Sequence, residues 1–181
     1  MKRLFIVFFL SLFTVSVLAQ QHLQFMGIPL NGTINQFQQK LQAKGVRYDR
    51  QDSAITPVGT RVFKGTFAGY AAKIAVYYDE TTKQVYAAKA YIDIVTEDRA
   101  NSIATDFEQS IKTKYGDCLL IDDDDTYYIL DSTKQQVLGF ITIYIRQDES
   151  YINYPYNYSV HIQYNDFLNT NEHDSITLDD F

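Results

Sequence analysis

From Tyr156 to Asn165 the chain alternates without a break. Tyr156, Tyr158, Val160, Ile162 and Tyr164 fall on one side, and Asn157, Ser159, His161, Gln163 and Asn165 on the other. Side chains of a strand point to opposite faces in turn, so this period of two describes a strand with one apolar and one polar face. Such a strand fits an antiparallel sheet that packs one face and leaves the other to water or to a ligand.

The rest of the chain supplies partners for it. Arg61 to Phe67, Tyr70 to Tyr78 and Gln84 to Ile94 read as three strands, joined at Ala68-Gly69 and at the polar turn Asp79 to Lys83. Cys118 to Ile121, Thr126 to Asp131 and Gln136 to Arg146 read as three more before the last. Two helices punctuate them. Thr33 and Gln36 form a capping-box pattern, Ile34, Phe37 and Leu41 share one face, and Gly45 supplies a left-handed end. The second opens at Thr96-Glu97-Asp98, carries the stripe Ala100, Ile103, Ala104, Phe107 and Ile111, and stops at Gly116. The stretch from Arg47 to Thr60 reads as irregular, after an extended arm from His22 to Leu30. The expected class is α+β: an antiparallel sheet with two helices packed on one face, in the order α-βββ-α-ββββ. The runs Phe37 to Gly45 and Phe107 to Gly116 look alike, which either a tandem repeat (about 25–95 and 96–167) or helix chemistry alone produces.

The amino terminus pairs Lys2 and Arg3 with an apolar run from Leu4, and places Val17 and Ala19 where a signal peptidase needs small residues. Residues 1–19 therefore read as a signal peptide cut between Ala19 and Gln20. A membrane anchor would need about 20 apolar residues, and this run is interrupted by Ser and Thr. The expected location is the periplasm or the exterior, with no membrane anchor after cleavage. A single domain over 20–167 and a polar, acidic tail over 168–181 complete the organisation. The formal charge of −6 becomes −8 once Lys2 and Arg3 leave with the leader, an acidic balance that disfavours nucleic acid and anionic lipid. Cys118 is the only cysteine, so no intrachain disulfide forms and packing must hold the domain together.

Among the residues with chemistry, Asp122 to Asp125 form an acidic run. It is a solvated turn or a calcium site using Asp122, Asp124 and Asp131, although the spacing of an EF-hand loop is absent. His22, His161 and His173 lack the spacing of a helical zinc site, and Cys118 begins an apolar strand with no flanking base. No cofactor is implied. Tyr151, Tyr154, Tyr156 and Tyr158 give a tyrosine-rich segment suited to a protein or glycan partner, or simply to a strand.

Phe25-Met26-Gly27-Ile28-Pro29-Leu30-Asn31-Gly32-Thr33, followed by Phe37, Leu41 and Gly45, resembles the start of a group of uncharacterised exported proteins from anaerobic gut bacteria. Phe67-Ala68-Gly69-Tyr70 and Lys114-Tyr115-Gly116 fit the same pattern. The order of elements is also similar to β-lactamase-inhibitor-protein-like folds. These motifs are structural punctuation, and the resemblance transfers no functional residue. Asp52-Ser53-Ala54, Asp131-Ser132-Thr133 and Asp174-Ser175-Ile176 are similar to the Asp-Ser/Thr-apolar O-glycosylation acceptor of some gut anaerobes. With no nucleophile elbow, phosphate loop or dinucleotide fingerprint in the chain, the expected function is an exported, non-catalytic binding module. The alternatives are a periplasmic or extracellular hydrolase using paired carboxylates and a structural subunit of a surface assembly.

Overall fold

The structure, a computed structural model, describes residues 22–122, 126–147 and 158–169. It is an α+β fold built on one eight-stranded antiparallel sheet. Two short strands, β1 (Gln24–Phe25) and β2 (Ile28–Pro29), form a hairpin that leads into helix α1 (Ile34–Ala43). Then follow β3 (Arg47–Tyr48), a second helix α2 (Arg50–Ile55), and the meander β4 (Thr60–Phe67), β5 (Tyr70–Tyr78) and β6 (Val85–Ile94). The long helix α3 (Glu97–Tyr115) leads through a 3-10 turn into β7 (Leu119–Ile121), β8 (Tyr127–Leu130), β9 (Val137–Gln147) and β10 (Tyr158–Asp166).

The sheet order is β3-β4-β5-β6-β10-β9-β8-β7. Each half is a helix followed by four antiparallel strands, and the last strand of each half meets the other at the centre, β6 against β10. The connectivity of the two halves is therefore the same, apart from α2.

Local chemistry explains the helix ends. Thr33 and Gln36 exchange the two bonds of a capping box, and Gly45 takes φ +82° just past α1. Thr96 accepts from the Arg99 amide at the start of α3, where Glu97 and Asp98 face the positive end of the helix dipole. Ile34, Phe37 and Leu41 of α1 and Ala100, Ile103, Ala104, Phe107 and Ile111 of α3 are all buried in one core.

The sheet face beneath these two helices is apolar. Phe63, Ile74, Ala90, Ile162 and Ile143 lie in one cross-strand row, as the registers of adjacent strands show. Phe25 stacks on Phe67, Phe67 on Phe107, and Tyr164 meets Phe25 edge-on, with centroids 5.1 to 5.5 Å apart. These rings tie the amino-terminal arm, β4, α3 and β10 together. Each fully buried large side chain contributes roughly 1.5–3 kcal/mol, so this layer dominates stability.

Both ends of the described chain are fastened to the same carboxylate. Asp166 is fully buried; it accepts from the Leu23 amide (2.7 Å) and the Asn169 amide (3.1 Å) and lies 3.1 Å from His22 Nδ1. The Asn169 side chain donates to the carbonyls of Leu30 and Val85. The expected tail thus begins later than residue 168: Leu168 and Asn169 belong to the fold.

A stretch read as irregular contains α2, and α2 lies on the opposite side of the sheet from α1 and α3, against Lys64 and Lys73. Its residues show no buried apolar face, so the usual period of 3.6 is missing; polar bonds hold it instead.

Candidate functional site

The polar face expected of the last strand extends over the whole centre of the sheet. Residues that pair across the strands form a continuous row: Arg47, Lys64, Lys73, Tyr91, His161, Tyr144. Three cations occupy one half and three aromatic rings the other. Lys64 directly opposes Lys73, an arrangement that destabilises a sheet unless something offsets it. α2 does so. Asp49 caps the helix by accepting from the Gln51 and Asp52 amides, and it pairs with Lys64. Asp52 lies 3.5 Å from Lys64 and 3.3 Å from Lys73. The Lys64 contact holds the Asp49 carboxyl below its ordinary range, and the same contact raises the Lys64 ammonium. Ser53 anchors the helix from its other side, its hydroxyl bridging the carbonyl and the amide of Val62.

The aromatic half is packed differently. His161 stacks on Tyr144 (4.6 Å) and meets Tyr91 edge-on (4.8 Å). The Lys89 ammonium sits 5.2 Å from the ring centres of both tyrosines. No carboxylate among the described residues pairs with it. Tyr77 and Tyr91 share a hydroxyl contact of 3.1 Å, and burial pushes the Tyr91 hydroxyl well above its ordinary range.

Between α2 and this aromatic ridge lies a cleft of about 580 Å³. Val62 and Ala75 keep its floor low, Asp52, Ile55 and Pro57 make one wall, and Tyr91 and His161 stand at the other. Asp93, Arg146 and Ser159 close one end. Ile55 is 83% exposed, which leaves a branched apolar side chain standing at the rim.

Ser159 Oγ lies 2.8 Å from His161 Nε2, the spacing of a nucleophile and its base. One fact weighs against catalysis there: β10 runs between two antiparallel partners that use its backbone amides in ladders. A strand so paired offers no amide to stabilise an oxyanion. Two carboxylates, Asp52 and Asp93, line the cleft, and Asp52 lies beside Lys64 and Lys73.

The residues singled out in the sequence scatter. Tyr158 packs on the helix side of the sheet, its hydroxyl 3.4 Å from Glu97, and so is no part of the open face. Burial and the Glu97 charge raise that hydroxyl's pKa. Tyr151, Tyr154 and Tyr156 lie outside the described residues; the strands on either side of their segment, β9 and β10, carry Arg146 and Ser159 of the cleft. Asp124 is also outside them. Asp122 accepts from the Thr126 amide, whereas Asp131 accepts from Thr133 and from the Gln135 and Gln136 amides. These bonds hold the Asp131 carboxyl below its ordinary range. The two carboxylates staple turns at opposite ends of β8, roughly 15 Å apart at about 3.3 Å per residue, too far to share an ion. Among the described residues, no three of His, Cys, Asp and Glu converge as metal ligands.

Cys118 is half-buried beside a second cavity of about 590 Å³ that His22, Lys114 and Tyr115 also line. Ser53 of the first acceptor-like tripeptide has its hydroxyl engaged with Val62, and His173 lies outside the described residues. Among the described residues, no helix is long and apolar enough to cross a membrane. Of the described histidines, His161 lines the cleft, as part of a row that no local motif revealed.

No protein family's sequence profile, no curated protein and no solved structure matches the chain.

Proposed function

We propose that the chain is exported, cleaved between Ala19 and Gln20, and acts as a non-catalytic binding module whose ligand surface is the open face of the sheet. One observation carries the reading: Tyr91, His161 and Tyr144 form an aromatic row with Lys89 held against it, on the side of the sheet that the main core leaves uncovered. Tyrosine gives large contact area with little rotamer entropy to lose, and aromatic and basic side chains dominate recognition surfaces. A merely solvated face has no need of that grouping. The ligand class is a protein or a glycan.

A photo-crosslinking residue placed at Tyr144 in the producing cell tests this, with the same residue at exposed Gln109 on α3 as the control. An adduct at position 144 and none at 109 is expected. Adducts at 109 alone overturn the reading.

A self-assembling surface subunit is the second reading, favoured by Leu120 and Ile121. They are exposed on β7, the strand at the sheet's edge. Sedimentation showing a concentration-independent monomer overturns it.

A further inference from the structure

We propose that the cleft and the aromatic ridge beside it take an acidic, apolar-studded segment of a partner polypeptide, with a carboxylate seated at Lys89 on the ridge and an apolar side chain laid against Ile55 at the cleft. This rests on the open face being the ligand surface.

Charge comes first. The chain is acidic as a whole, at −6, yet the open face of its central strands β4, β5, β6, β10 and β9 presents Lys64, Lys73, Lys89 and Arg146 against one carboxylate, Asp93. α2 brings Asp49 and Asp52 to Lys64 and Lys73, the cationic half of the row. Lys89 is compensated otherwise. The faces of Tyr91 and Tyr144 hold its ammonium by their ring electrons, which fixes the side chain without cancelling its charge. A cation positioned in advance, half-buried among rings, is suited to a carboxylate, since the ordering cost is already met.

The rim decides between polymers. An acidic sugar would be served by the tyrosines and the lysine, but it has hydroxyl edges to satisfy. Ile55 gives no hydrogen bond, and its exposed surface is covered with gain only by an apolar side chain. A peptide that mixes Asp or Glu with Leu, Ile or Phe meets both demands. A volume of about 580 Å³ holds a few side chains, the anchor of an interface rather than the whole of it.

Random octapeptides displayed on phage and selected on the full-length chain, as processed on expression, test the assignment. The selected pool should be enriched about threefold in Asp and Glu and carry apolar residues among them. Lys89→Gln should lower its recovery about tenfold and Ile55→Ser about fivefold, with melting temperatures within about 2 °C of wild type. A pool without acidic enrichment, or one that Lys89→Gln leaves untouched, overturns the proposal. So does oligogalacturonate binding that needs Lys89 but ignores Ile55, because the ligand is then an acidic sugar. A concentration-dependent dimer dissolved by Lys89→Gln overturns it in favour of a second copy. In each of these cases a crosslink at Tyr144 would keep the open face as a binding surface, so the two readings fail separately.

Discussion

At the scale of single residues, Asp166 ties the two ends of the described chain together. Replacing it by alanine leaves the Leu23 and Asn169 amides unpaired in the core. At about 1–3 kcal/mol for each buried donor, Asp166→Ala should cost about 3 kcal/mol in urea melts. Its titration follows from burial, which raises the carboxyl above its ordinary 3.8 despite the pull of His22 and the Leu23 and Asn169 amides. A carboxyl that holds its proton more tightly in the folded state stabilises the fold most below the ordinary value. That contribution is lost as the pH climbs from 3.8 through the raised folded value. Asp166→Asn removes the titration. The stability of the wild type relative to this variant should therefore be greater at pH 3 than at pH 5.5; an unchanged difference would contradict the burial argument. The sequence displays Asp166 as one acid among many, since nothing local marks it as the meeting point of segments about 140 residues apart.

Among elements, close strand packing sets one sharp constraint. A Cβ on Gly139 of β9 would lie 2.1 Å from the Asn165 carbonyl of β10. Gly139→Ala must push the two strands apart, and overpacking of this kind costs roughly 1–3 kcal/mol, measurable as a lower urea midpoint. α2 presents the opposite situation, a helix held by few polar contacts. Ser53→Ala removes both bonds to Val62, so hydrogen exchange at 50–56 should quicken while β6 and β10 keep their protection. Equal quickening throughout would show that α2 is part of the global fold. The helices α1 and α3 were legible because caps and apolar stripes are local signals. α2 was not, because its stability comes from Asp49, Asp52 and Ser53 meeting residues of β4 and β5 that only the tertiary fold supplies.

On the scale of the whole molecule, the two halves share one core, and their final strands pair at its centre. Neither half presents a closed layer by itself. The chain should unfold in a single transition with matching calorimetric and van't Hoff enthalpies, and residues 22–95 alone should show no cooperative melt. Two resolved transitions would mean the halves are independent. The strands and their alternation were readable from sequence, yet their lateral order was not, because β6 and β10 are brought together over a separation that no periodicity encodes. The row of Arg47, Lys64, Lys73, Tyr91, His161 and Tyr144 stayed hidden for the same reason: its members come from six different strands.

The shared hold of Asp166 on the amides of Leu23 and Asn169 places the start and finish of the folded body within roughly 8 Å of each other, two hydrogen bonds and one carboxyl group apart. A short glycine bridge from 169 to 22, with new ends opened at the Thr81–Thr82 turn, would give a rearranged gene whose product keeps every strand neighbour. Reporter groups attached at those relocated ends would then emerge at the β5–β6 hairpin.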